Sequence, residues 1–253
     1  MKASVHYSFT PCLLLDAGYS PPRALAIATA DQMTDWATPS NLGPDYWPAA
    51  TGLLPGLTQI DEVYGARSLR GDSWNPGWDR CHDYHFGGGQ GEYGDEEYRY
   101  CALSAIRHPG YSDMQRGRKI HLAQDYASHK GYCGWPDERN RHKGDGRAWW
   151  SRIADRVVGR NELLGHWLRP EVDELAVSRA ALIQVSHDIL AALTGSETTK
   201  APSIALLQAP DDKALVAACR EFWRLRTGQD MPEFRPYSPQ SEDWRRWCSE
   251  VSA

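Results

Sequence analysis

The segment KIHLAQDYASHKGYCGW, residues 119 to 135, constrains this chain more than any other. It places His121, Asp125 and His129 at successive intervals of four. The residues between them (Ile120, Leu122, Ala123, Tyr126, Ala127) are apolar or small enough to bury. Positions four apart on an α-helix drift by about 40° and rise about 6 Å, so the three polar groups share one narrow stripe. Burying an unpartnered carboxylate is very costly, and so is burying a charged imidazole. A divalent cation satisfies all three at once, because neutral imidazole nitrogen and carboxylate oxygen are its ordinary ligands. A half-exposed helix with hydrogen-bonded side chains would explain a single His-x-x-x-Asp pair. The third member, and the Gly-Tyr-Cys-Gly-Trp stop behind it, favour metal.

One helix supplies three ligands, and a catalytic centre needs more from elsewhere in the fold. His6 stands beside Tyr7 just ahead of the first expected helix, and Asp31 and Asp35 are spaced i, i+4 on the second. CHDYHF offers His82, Asp83 and His85, of which His85 is the preferred ligand because Phe86 and the following glycines allow close backbone approach. Downstream come His142 and, in ELLGHWLRPEVDEL, His166 with Glu171 or Asp173. His142 sits in a charged, loop-like stretch, whereas Leu163, Leu164, Trp167 and Leu168 suggest that His166 is buried, so His166 is preferred. With nine histidines in the chain, a multinuclear site is the expectation.

The rest of the chain reads as helices joined by irregular loops. Residues 8 to 17 form a short apolar helix closed by Gly18, and Ser20-Pro21 opens the next with Pro at the first helical position. Residues 38 to 93 are rich in Gly, Pro, Trp and Asp without sustained period, a loop-rich insertion expected to line the site. Further helices are expected over DEEYRYCALSAIR, from about Ser112 to Lys130, and over 147 to 160, 171 to 195, 211 to 226 and SEDWRRWCSE. Strand alternation is scarce, so the expected class is all-α, a single domain over 1–253. His187-Asp188, inside a helical pattern, reads as structural, and His108 before Pro-Gly as a helix C-terminus residue facing the dipole. The His82-Asp83 dipeptide is a weak pointer to an HD-type phosphohydrolase, since it stands in a Gly-rich loop.

A formal net charge of -5 gives no electrostatic reason to expect nucleic-acid binding. The apolar N-terminal stretch is broken by His6, Thr10 and Pro11, no run approaches a membrane span, and the six cysteines form no C-x-x-C pair. Reduced thiols and a cytoplasmic location are the expectation.

HYSFTPCLLLDAGYSPPRALAIATADQMTDW, followed by HLAQDYASHKGY and LLGH, resembles the zinc-dependent phospholipase C and P1 nuclease superfamily, and more closely an uncharacterised bacterial branch of it. The likeness covers roughly residues 4 to 37 and 80 to 175. It implies a helical bundle with two or three divalent ions, zinc first, with iron or manganese as the other candidates. His121 and Asp125 would bind the central ions, with Asp125 a possible bridge; His129 and His166 would bind another, and His6, Asp35 and His85 would complete the set. The chain departs from the pattern in two places. Secreted members use a mature N-terminal Trp as ligand where this chain has Met1, and the acidic partner expected after the Gly-His pair falls on Pro170, leaving Glu171 or Asp173. The implied activity is hydrolysis of a small phosphoester or phospholipid-like substrate, with Asp35 or Asp31 taking the proton from water. Asp31 otherwise reads as a group standing behind the ligands. An oxygen-using iron enzyme and a non-catalytic metal-binding protein are the alternatives on the same residues.

Overall fold

The computed structural model describes residues 3–36, 98–129, 175–196, 201–238 and 240–251. Among these, helix is the only regular secondary structure, which is consistent with the expected all-α class. A π-helical turn, Ser4–Phe9, runs directly into α1 (Thr10–Asp16). Then come α2 (Pro21–Trp36), a second π-helical stretch (Tyr98–Leu103) continuing into α3 (Ser104–Arg107), and α4 (Asp113–His129). The C-terminal part holds α5 (Leu175–Thr194), a 3-10 helix (Pro202–Gln208), α6 (Asp212–Thr227) and α7 (Glu242–Val251). The first helical segment starts earlier than residue 8, so His6 lies within it rather than ahead of it. The insertion over 38 to 93 and the helix expected over 147 to 160 lie outside the described residues.

Local chemistry sets these boundaries. The α1 end closes with Gly18 at φ 85°, Gly18 N–H bonded to Leu15 O and Tyr19 N–H to Leu14 O, each 3.0 Å. That is the paired terminal bonding in which a left-handed residue satisfies the last carbonyls, and glycine adopts it without Cβ strain. α4 opens with a reciprocal cap: Gln115 N–H donates to Ser112 Oγ at 3.1 Å, and Ser112 N–H donates to Gln115 Oε1 at 3.0 Å. Asp211 caps α6 by accepting from Ala214 N–H at 2.8 Å. His108 ends α3, but its imidazole serves the following turn: Nδ1 accepts from Gly110 N–H at 3.2 Å.

The core is continuous from Phe9, Leu13 and Leu14 through Ile27, Ile120 and Leu122 to Leu182, Ile189, Leu207 and Trp223. A second cluster gathers Ala30, Met33, Met114, Trp244 and Trp247 where α7 meets α4. Asp16, at the end of α1 with its side chain covered, ties distant segments together by accepting from Ser203 N–H at 2.8 Å and Arg226 Nη1 at 3.0 Å. Asp188 on α5 likewise accepts from Tyr98 Oη and Gln184 Nε2 at 3.0 Å each, which gives Asp188 a structural role, whereas His187 beside it is exposed. Cys12 and Cys219 are buried free thiols, with Cys12 Sγ 3.5 Å from the Cys219 carbonyl oxygen. No helix among the described residues is long and apolar enough to cross a membrane.

α2 and α4 make the most extensive helix pair among the described residues, and Gly117 sets their separation. An ideal Cβ on Gly117 would lie 2.3 Å from Ile27 O, 2.8 Å from Ala30 Cβ and 2.9 Å from Asp31 N. Only a residue without a side chain allows that approach. It brings Asp31 beside His121, one turn along α4 from Gly117.

Candidate metal centre

Four fully buried side chains meet where the Ser4–Phe9 turn, α2 and α4 converge: His6, Asp31, His121 and Asp125. The His6 and His121 rings stack, with centroids 4.0 Å apart and planes inclined by 28°. A carboxylate lies at each edge of the stack. Asp31 Oδ1 is 2.8 Å from His6 Nδ1 and 3.1 Å from His121 Nδ1. On the other edge, Asp125 Oδ1 is 3.3 Å from His6 Nε2 and Asp125 Oδ2 is 3.2 Å from His121 Nε2. Each carboxylate therefore spans both rings.

Two further polar side chains extend the network. Gln124 Oε1 lies 2.8 Å from His6 Nδ1, and Gln124 Nε2 donates to Thr10 Oγ1 at 2.8 Å. Thr10 Oγ1 lies 2.9 Å from Asp31 Oδ2 and 3.2 Å from Val5 O. The helical period explains the gathering. Thr10 follows His6 by four, and Gln124 and Asp125 follow His121 by three and four, so each helix turns its polar groups to one face.

The chemistry of this group suits a cation. His6, Asp31 and His121 offer donor atoms within 4.8 Å of one another and could hold a metal ion. Two ligands about 2.0 Å from a tetrahedral ion sit roughly 3.3 Å apart, the spacing found between Asp125 and the two Nε2 atoms. Without an ion, two acids and two imidazoles removed from water must settle their charges among themselves, at a desolvation cost of several kcal/mol per ion.

The structure brings together His6, Asp31, His121 and Asp125 from the residues singled out in the sequence. Asp31, expected to stand behind the ligands, is in direct contact with both imidazoles. Asp35 and His129 lie on α2 and α4, but their side chains are outside the described residues. His82, Asp83, His85, His142, His166, Glu171 and Asp173 also fall outside them. Sequence reasoning missed Thr10, Gln124 and Gly117. For Thr10 and Gln124 the available signal was a polar residue one turn from a candidate ligand on an otherwise buried face; for Gly117 the sequence carried none. Against protein-family models, curated proteins and solved structures, the chain finds no match.

Proposed function

We propose that this protein is a metal-dependent hydrolase acting on a small phosphoester, with His6, His121 and Asp125 among its metal ligands. The observation that supports it is the buried His6–His121 stack bracketed by Asp31 and Asp125. A core tolerates such a concentration of ionisable groups when a cation completes them. The bound ions would supply Lewis acidity and an acidified water. Asp125 points one oxygen at each imidazole, an arrangement suited to bridging two ions. Asp31 is committed to both Nδ1 atoms and to Thr10, which suits orienting the rings. That leaves Asp35, one turn further along α2, as the candidate for accepting a proton from water. His85, His129, His166 and Asp173 remain the candidates for completing the ligand shell, and the resemblance to the phospholipase C and P1 nuclease superfamily supports zinc and phosphoester hydrolysis.

The test is turnover of p-nitrophenyl phosphate, bis(p-nitrophenyl) phosphate and p-nitrophenylphosphorylcholine by protein reconstituted with zinc, manganese or iron(II). Metal-dependent release of p-nitrophenol from at least one of them, absent in His121→Ala, is expected. Metal-loaded protein inert towards all three would count against the reading.

One observation favours a second reading. Two histidines and one carboxylate, as in His6, His121 and Asp125, are also the ligand set of oxygen-using non-haem iron(II) enzymes. Iron retained in preference to zinc, with oxygen uptake and no phosphoester turnover, would select it.

A further inference from the structure

The hydrogen bonds around Thr10 have only one consistent polarity. Its hydroxyl has a single proton and already faces two acceptors, Asp31 Oδ2 at 2.9 Å and Val5 O at 3.2 Å. That proton is therefore committed, and Thr10 must accept from Gln124. The Gln124 amide is fixed in turn, with Nε2 towards Thr10 at 2.8 Å and Oε1 towards His6 Nδ1 at 2.8 Å. His6 Nδ1 thus meets two oxygens that can only accept, Gln124 Oε1 and Asp31 Oδ1, both at 2.8 Å. A bare lone pair there would oppose two others, so Nδ1 must hold the hydrogen.

Resting on the reading of this cluster as a metal centre, we propose that Thr10 and Gln124 are positioning residues that lock His6 in its Nδ1–H form. Its Nε2, on the edge facing Asp125, is then the atom offered to the ion. His121 follows the same sense, with Nδ1 towards Asp31 at 3.1 Å and Nε2 towards Asp125 at 3.2 Å. The ion belongs on the Asp125 edge of the stack, and Asp31 orients the rings from the opposite edge. A partner that fixes the far nitrogen of a ligating histidine selects its tautomer and ring angle, and losing it weakens metal binding roughly 10- to 100-fold.

The test joins long-range proton–nitrogen correlation spectra of zinc-loaded, nitrogen-labelled protein with zinc titrations of variants. His6 is expected to keep a hydrogen on Nδ1 and to show the metal-shifted resonance at Nε2. Thr10→Val and Gln124→Leu should weaken zinc binding by roughly tenfold or more, while Thr10→Ser, which keeps the hydroxyl, stays close to wild type. A metal-shifted Nδ1 on His6, or folded Thr10→Val that binds zinc like the wild type, overturns the proposal. If Thr10→Val does not fold, the tautomer spectrum and the Thr10→Ser titration still decide it. Zinc held through Nδ1 sinks only the assignment of edges and relay. Wild-type protein that binds no zinc, manganese or iron sinks the metal-centre reading and this inference with it.

Discussion

The imidazoles of His6 and His121 lie face to face, 4.0 Å between ring centroids, in a part of the core closed to solvent. Two positive charges at that distance would repel by about 4 kcal/mol at an effective dielectric near 20. The stack is tenable when Asp31 and Asp125 balance the rings, or when the rings are neutral and share a cation. A metal centre achieves the second while keeping both carboxylates useful.

The two carboxylates should respond differently to neutralisation. Asp125→Asn is expected to remove most of the bound metal, because it alters the group facing both Nε2 atoms. Asp31→Asn is expected to weaken binding by roughly 10- to 100-fold while leaving a measurable site. Metal content after dialysis against a graded chelator series checks this. Equal losses in the two variants would remove the distinction drawn between the edges.

Gly117→Ala should damage stability and site together. Its Cβ would overlap Ile27 O at 2.3 Å, a backbone atom that yields only if α2 and α4 separate. Overpacking of this kind costs about 1–3 kcal/mol, and here it also draws Asp31 away from His121. Urea unfolding and zinc titration on the same preparation provide the check. An unchanged unfolding midpoint would contradict the close approach of the two helices.

Alkaline pH should expose the buried tyrosines. Burial first, and then the Asp188 carboxylate, hold the Tyr98 phenol well above its ordinary range, and burial also raises Tyr7 and Tyr237. The folded protein keeps protons that the unfolded chain gives up. Stability from this source is thus complete below about pH 10 and declines as pH rises above it. Tyr98→Phe should cost about 1 kcal/mol near neutrality through the lost bond to Asp188. It should also make the fall between neutrality and about pH 10.5 shallower. Urea unfolding at both pH values tests it, and parallel losses in variant and wild type would contradict it.

How much of this was legible in the sequence depends on whether the signal is local. Pro21 at a helix start, Gly18 at a helix end and the stripe through His121 and Asp125 are local, and the described helices follow them. Ser112 opening α4 is also local, fixed by its exchange with Gln115. The start of the first helical segment was not legible, because Ser4–Phe9 takes the wider π turn, with Thr10 N–H bonded to Val5 O. Asp31 was visible as a helical carboxylate paired in spacing with Asp35. Its contact with both histidines depends on Gly117, on a different helix, and no pattern in either segment announces that approach. Thr10 and Gln124 read as ordinary helix polar residues until the fold sets them between Asp31 and His6.

The most direct measurement of the central claim is the metal-to-protein ratio of the purified 253-residue chain by inductively coupled plasma mass spectrometry, set beside His6→Ala and His121→Ala. The account predicts at least one transition-metal ion per wild-type chain, zinc first, and its loss from both variants while helical circular dichroism is retained. Folded wild-type protein without stoichiometric metal, and with no gain in melting temperature on adding zinc, manganese or iron(II), would contradict it.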